Sequence, residues 1–238
     1  MREMLPKLYA IIDRTTLDAR RISVGEFARE LRDGGVRLVQ YRDKRGSPQE
    51  ILRACEEIRA AFAGADATLI LNDRADLAVL AEWDGVHVGQ GDLPVDAARR
   101  VLKGTRVRRT GEAQVLSGSI VGISTHTDTQ VRAAMGGNGR GADPDYVAIG
   151  PVFTTSSKAN PEPIVGLDGV RRARSLTSKP LVAIGGITIE NAASVMEAGA
   201  DCVAVIGALM PNQRSVMDLA SQFVERLSHY QGNRTVSG

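Results

Sequence analysis

Short apolar runs punctuate the chain at residues 8–12, 36–41, 68–71, 85–88, 120–123, 146–149, 181–184 and 202–206. They are mostly continuous rather than alternating, as expected of strands with both faces covered. Between them the apolar positions change to helical spacing, with start and stop signals at the ends. Ser23-Val24-Gly25-Glu26 reads as a capping box ahead of Val24, Phe27, Ala28 and Leu31 on one face, with Gly34 as the stop. Ser47-Pro48-Gln49-Glu50 repeats the device with proline at the first helical position, and Thr127-Asp128-Thr129-Gln130 does so again. Thr188 precedes a helix expected over 189–198, which Gly199 ends. Strands and helices in alternation predict an α/β fold around a parallel sheet.

Two closures suit that pattern, an eight-strand barrel or an open doubly wound sheet. Eight runs in 238 residues, with no GxGxxG turn after the first, favour a single (β/α)8 barrel. One catalytic domain is expected over 1–230, with 231–238 as a disordered tail. Gly137-Asn138-Gly139-Arg140-Gly141 imitates a dinucleotide loop. It follows a helix and precedes a strand, so it is expected to be a connection at the far end of the barrel. The 105–118 segment, with Arg106, Arg108 and Arg109, reads as another long connection of that kind.

Composition narrows the partners. Net charge is +2 and the basic residues are scattered, so nucleic acid is not the expected partner. The two cysteines, Cys55 in a helical pattern and Cys202 in a strand pattern, read as reduced core residues. No CxxC or His/Cys cluster suggests zinc. No run approaches the ~20 apolar residues of a membrane span, and the N-terminal run is too short for a signal peptide. A soluble cytoplasmic protein is expected; the oligomeric state is not legible.

Barrels of this kind place chemistry at the C-terminal ends of their strands. Gln40, Arg42 and Lys44 fall at i, i+2 and i+4, on one face of the second strand above Leu38. The third strand ends in Asn72-Asp73, the fourth runs through Gly89-Gln90-Gly91 to Asp92, and the fifth ends in Ser124-Thr125-His126-Thr127. The sixth leads into Gly150-Pro151 and the 152–158 loop, which closes on Lys158. Gly185-Gly186 and Ile206-Gly207 follow the last two strands.

Each feature has a plainer alternative. Arg42 could pair with a rim carboxylate, Asp73 could cap a helix, the glycines could simply turn the chain, and Lys158 could be a solvated loop lysine. Taken together, cations with two carboxylates suit an anion held through Mg²⁺, an ion bound by few carboxylates plus substrate phosphates. The glycine ends suit a second phosphate. Of the histidines only His126 falls at this rim; His87 lies inside the fourth strand, and no catalytic triad is visible. Trp83 and the tyrosines read as packing residues.

These motifs resemble the thiamine phosphate synthase family from about residue 8 to 210. The likeness rests on Gln40-Tyr41-Arg42-Asp43-Lys44, Asn72-Asp73, Gly85-Val86-His87-Val88-Gly89-Gln90 with Asp92, and Gly122-Ile123-Ser124. It continues in Gly150-Pro151-Val152-Phe153 to Lys158, Ala183-Ile184-Gly185-Gly186-Ile187-Thr188 and Ala198-Gly199-Ala200-Asp201. The resemblance implies an Mg²⁺-assisted transferase joining an aminopyrimidine-methyl diphosphate to a thiazole-ethyl phosphate. It implies that Gln40, Tyr41, Arg42, Asp43, Lys44, Asn72, Ser124 and Lys158 serve the pyrimidine diphosphate, with Arg42, Lys44, Ser124 and Lys158 catalytic. It assigns Thr155, Ser156, Ser157, Gly186, Ile206 and Gly207 to the thiazole phosphate, and Asp73 and Asp92 to the metal. The 152–158 loop would be a lid. Gly207 departs from the serine common there, and the loop lacks the family's proline. A thiazole tautomerase-like relative, a phosphosugar isomerase or epimerase, and a non-catalytic phosphate-binding barrel remain the alternatives.

Overall fold

The computed structural model describes residues 5–103, 119–136, 143–155, 162–211 and 213–230, with the backbone alone of 107–109 and 112–114. Eight parallel strands form a closed barrel: β1 (Leu8–Asp13), β2 (Leu38–Arg42), β3 (Thr68–Asn72), β4 (Gly85–Val88), β5 (Ile120–Thr125), β6 (Tyr146–Ile149), β7 (Leu181–Ile184) and β8 (Cys202–Val205). Their order around the ring is sequential, and β8 pairs with β1 to shut it. The expected barrel is therefore the fold. Several strands run one or two residues beyond the apolar run, because polar Asp13, Arg42, Asn72 and Thr125 complete them.

The helices are α1 (Arg14–Arg20), α2 (Val24–Asp33), α3 (Pro48–Ala61), α4 (Ala75–Leu80), α5 (Val95–Lys103), α6 (Asp128–Ala134), α7 (Gly166–Leu176), α8 (Ala192–Glu197) and α9 (Val216–Ser228). Ser47 and Glu50 make the reciprocal box that the sequence announces. Ser23 and Thr127 cap through their own side chains, and the Gln130 carboxamide accepts instead from the His126 amide. The helix expected to start after Thr188 begins at Ala192. Asn191 takes the Thr188 N–H on its side-chain oxygen, which holds the intervening residues in a turn. The 107–109 and 112–114 segments pair as an antiparallel hairpin. The rest of the 105–118 connection, the 137–141 loop and the 231–238 tail lie outside the described residues.

Strand parity sorts the core into two shells. Tyr9, Ile11, Leu38, Ile70, Tyr146, Val182 and Cys202 fill the barrel interior. Val39, Tyr41, Leu69 and Leu71 point outward and pack with Phe27, Leu31, Ile58 and Phe223 of the helices. Full burial of each large apolar side chain is worth roughly 1.5–3 kcal/mol, so both shells hold the ring closed. The register aligns Ile11 with Gln40 and Gln40 with Ile70, placing one amide inside an otherwise apolar layer. Cys55 and Cys202 are buried free thiols, and burial raises the pKa of both, Cys55 to about 12.

Candidate active site

On the β2–β4 side of the rim, the charged groups at the strand ends are paired. Arg42 Nη1 donates to Asp13 Oδ2 at 2.5 Å. The other Asp13 oxygen accepts from the backbone and hydroxyl of Thr16, at 2.9 and 2.7 Å, so this buried carboxylate also caps α1. The sequence offered no sign of Asp13 beyond its place two residues after Ile11 on an interior-facing parity. Lys44 Nζ donates to Asp73. Asp73 has φ 62°, in the left-handed region, and its backbone N–H donates to the His87 carbonyl at 2.8 Å. It is not a helix cap: Arg74 occupies that position, without a side-chain cap.

Asp92 Oδ2 accepts the Gly89 N–H at 2.8 Å, and its carboxylate neighbours that of Asp73 closely enough for each to shift the other. Burial lifts Asp73 above the ordinary carboxylate range, with the Asp92 contact adding to the rise and Lys44 opposing it. Burial works on Asp92 too, but the contact with Asp73 and the Gly89 amide outweigh it and leave Asp92 lowered. The two shifts run in opposite directions because each carboxylate acts on the other, as neighbouring carboxylates do. Beside them Asn72 is buried, and its Nδ2 has no partner among the described residues.

Tyr41 and Asp43 do not join this face. Tyr41 packs in the outer shell and donates to Asp43 Oδ2 at 3.2 Å, while Asp43 Oδ1 accepts the N–H groups of Arg45 and Gly46. Both shape the loop after β2, a role that strand parity assigns them. The family resemblance has both serve the pyrimidine diphosphate; here both side chains turn to the loop behind the strand, because alternate residues of a strand face opposite ways.

The β5–β8 side is different. A cavity of about 360 Å³ opens there, and Ser124, Thr155, Gly186, Ile206 and Gly207 all line it, together with Glu162, which no sequence pattern singles out. Gly186 has φ 63°, and a Cβ on it would fall 2.4 Å from the Thr154 carbonyl oxygen. Only glycine lets the β7 end approach the β6 loop this closely. That loop is tied to β7 by Val152 N–H to Ile184 O and Phe153 N–H to Gly185 O, both at 2.9 Å. His126 Nδ1 donates to the Gly150 carbonyl at 2.5 Å, which fixes its ring against the cavity wall. Ser156, Ser157 and Lys158 lie outside the described residues.

Between the two sides runs a buried polar chain that the sequence did not reveal. Gln40 Nε2 donates to Tyr9 Oη at 2.8 Å, and Tyr9 and Tyr146 share a hydroxyl contact of 2.9 Å. Tyr146 Oη meets His87 Nδ1 at 2.9 Å, and His87 Nε2 meets Ser124 Oγ at 2.8 Å. The two tyrosines, which the sequence suggests as packing residues, and the mid-strand His87 thus link β2 to β5 through the barrel interior. Burial pushes the pKa of both tyrosines upward, so each keeps its proton.

A closed parallel barrel with paired cations and carboxylates along one half of its mouth and an open cavity edged by glycines and hydroxyls along the other has the form of a (β/α)8 barrel enzyme. Comparison with known proteins makes the class specific. Residues 8–209 match the family model described as thiamine monophosphate synthase, and the chain belongs to that family. A thiamine-phosphate synthase from Koribacter versatilis is 48% identical over 227 residues, 94% of this chain and 96% of the relative. One from Methanocella arvoryzae is 38% identical over 223 residues, 94% and 95% of the two chains. The solved thiamine phosphate pyrophosphorylase from Pyrococcus furiosus superposes with a TM-score of 0.76 at 27% identity, covering 95% of this chain and 98% of that one. The chain is accordingly a transferase of thiamine biosynthesis, acting on small phosphorylated substrates. Among the described residues no helix is long and apolar enough to cross a membrane.

Proposed function

We propose that the chain condenses an aminopyrimidine-methyl diphosphate with a thiazole-ethyl phosphate, forming thiamine phosphate and releasing diphosphate. The observation that carries this assignment is the Asp73–Asp92 pair, two carboxylates in contact beside Lys44 and Arg42 at one half of the rim. Neighbouring carboxylates that disfavour one another's charge are suited to share a cation. Mg²⁺ is an ion that takes few protein ligands and completes its shell with phosphate oxygens. Asp73 and Asp92 would hold Mg²⁺, which when bound supplies positive charge to the leaving diphosphate.

The chain's own groups do the rest. Gln40, Asn72 and Ser124 bind and orient the pyrimidine, Asn72 through the buried amide that has no partner among the described residues. Arg42, Lys44 and Lys158 face the diphosphate and stabilise the charge it gains as its bond to the pyrimidine methylene breaks. The electron-donating amino group of the ring steadies the resulting cation, so no strong base is needed. Thr155, Ser156, Ser157 and the backbone of Gly186, Ile206 and Gly207 hold the thiazole phosphate, so that the ring nitrogen forms the new bond to the methylene carbon. Holding both rings together and excluding water favours that bond over hydrolysis. Residues 1–230 act as one catalytic domain in the cytoplasm.

The test is direct. The protein is incubated with both substrates and Mg²⁺, and the product is oxidised to fluorescent thiochrome. Product that depends on both substrates supports the assignment, and none under any condition overturns it. A tautomerase-like activity would show instead as isomerised thiazole with no use of the pyrimidine.

A further inference from the structure

We infer that Tyr9, Tyr146 and His87 act as one positioning unit, a directional hydrogen-bond chain that fixes Ser124 as a donor toward the pyrimidine end of the cavity. This rests on the function proposed above, under which Ser124 and Gln40 touch the pyrimidine. The direction follows from counting protons. A carboxamide nitrogen only donates, so Tyr9 Oη accepts from Gln40 Nε2. The buried Tyr9 hydroxyl needs an acceptor for its own proton, and Tyr146 Oη is the one in reach; the single Tyr146 proton is in turn assigned to His87 Nδ1. With Nδ1 accepting, the ring proton lies on Nε2 and is donated to Ser124 Oγ. Ser124 has accepted one bond and lines the cavity, so its own proton is directed to whatever enters.

A heteroaromatic ring nitrogen is the acceptor that complements such a group. Gln40, its amide committed to Tyr9, keeps its carbonyl oxygen as the acceptor for an exocyclic amino group. An aminopyrimidine offers both functions, and a chain anchored on β2 and β5 sets both at once. The interior is shaped to hold the chain. Tyr146 stands edge-on to Tyr9, with ring centroids 5.9 Å apart at 83°, and stacks on His87 at 5.5 Å and 16°. A Cβ on Gly122 would lie 2.0 Å from the Tyr146 ring, so glycine at that position makes room for it. Burial keeps both phenols protonated, as a one-proton-per-link chain requires.

The experiment combines spectroscopy with kinetics. In the wild-type protein the ¹⁵N shifts of the three histidines are assigned, and His87 is expected to show one neutral tautomer protonated on Nε2. Tyr146→Phe keeps the ring and removes the link, so His87 should lose its single tautomer. Tyr9→Phe, one link further away, should do the same. In the synthase assay Tyr146→Phe should raise the KM for the pyrimidine diphosphate and lower kcat, about tenfold in kcat/KM, the loss of one buried hydrogen bond. The thiazole phosphate KM should stay within about twofold of wild type, since that substrate makes no contact with the chain. In a Ser124→Ala background the Tyr146→Phe change should add nothing further. A His87 tautomer unchanged in both Phe variants, an Nδ1-protonated wild type, or additive effects with Ser124→Ala would each overturn the inference. Absence of synthase activity in the wild type would fail the assignment of function and leave the spectroscopic result to be judged alone.

Discussion

The two halves of the rim reach readiness by opposite routes. Along β2–β4 the cations are already paired with carboxylates, Arg42 with Asp13 and Lys44 with Asp73, while Asp73 and Asp92 oppose one another. Along β5–β8 the wall mixes glycine backbone and hydroxyls with apolar side chains, with His126 and Glu162 also lining it, and the space is open. The difference follows from what each half can tolerate before substrate binds. Unpaired charges on half-buried strand ends are costly, so a site for a highly charged ligand must carry its own counter-ions. A site for a monophosphate can rely on N–H groups and hydroxyls, which water satisfies until the ligand arrives. Charge on the first half is therefore held in reserve within ion pairs, whereas shape on the second half is preformed.

Breaking the charged half should have the largest effect. Asp73→Asn removes one of two proposed metal-holding carboxylates without changing side-chain size. We expect kcat/KM to fall roughly a hundredfold, equivalent to about 2.7 kcal/mol, with a higher Mg²⁺ requirement. Full activity of the wild type in excess chelator would remove the metal from that half. Arg42→Ala comes next. It deletes a charge-assisted contact worth about 1.5–3 kcal/mol, so affinity for the pyrimidine diphosphate should drop by one to two orders of magnitude. Calorimetry on the variant, with Asp13→Asn beside it, separates the two tasks of the pair. The Asp13→Asn side chain keeps an oxygen to cap α1 but no longer holds the guanidinium by charge. If Arg42→Ala binds the diphosphate as the wild type does, Arg42 belongs to Asp13 alone.

Gly186→Ala tests whether the open half is independent. The added carbon meets the Thr154 carbonyl and forces an alanine to a positive φ, a conformation costing about 1–2 kcal/mol for an L-residue. The thiazole phosphate KM should rise several-fold, with the pyrimidine diphosphate KM nearly unchanged. Equal rises in both constants would mean that the two halves move as one.

Much of this was legible in the chain because barrel strands advertise themselves by continuous apolar runs, and the C-terminal ends then follow from direction alone. Gln40, Arg42 and Lys44 could be placed on one face by counting in twos. The same counting, applied to the residues between them, would have set Tyr41 and Asp43 on the outer side. It would also have turned Tyr9, His87 and Tyr146 inward. What parity cannot supply is distance across the barrel: that Gln40 and Ser124 are joined through three residues from three other strands depends on closure, which no local pattern encodes. Asp13 escapes a local reading for a related reason: its partner Arg42 lies on the neighbouring strand, and the same carboxylate also caps α1. Asp73 shows the reverse, a residue that the helix-cap rule could claim and that the left-handed backbone takes away from it.

The smallest expected effect concerns the same Asp73 and has the opposite sign. In the ligand-free protein this carboxylate is partly buried, touches Asp92 and is held in a left-handed conformation, and its raised pKa says that its charge is on balance unfavourable there. The Asp73→Asn side chain would keep the shape, tolerate the left-handed backbone at least as well, and offer Asp92 an N–H in place of a second carboxylate. It would forfeit the ion pair with Lys44, whose side chain is 47% exposed, and exposed pairs contribute only about 0–1 kcal/mol. The balance favours the variant by less than ~1 kcal/mol, a Tm increase of about 1–3 °C in a chain of this size. Thermal melts in chelator at neutral pH should therefore place Asp73→Asn slightly above the wild type. Added Mg²⁺ with diphosphate should raise the wild-type Tm and leave the variant nearly where it was, because only a ligand that binds the folded state stabilises it. A variant that melts lower in chelator would show that the Lys44 pair outweighs carboxylate repulsion. The charged half of the rim would then be stable as it stands, rather than strained in anticipation of a cation.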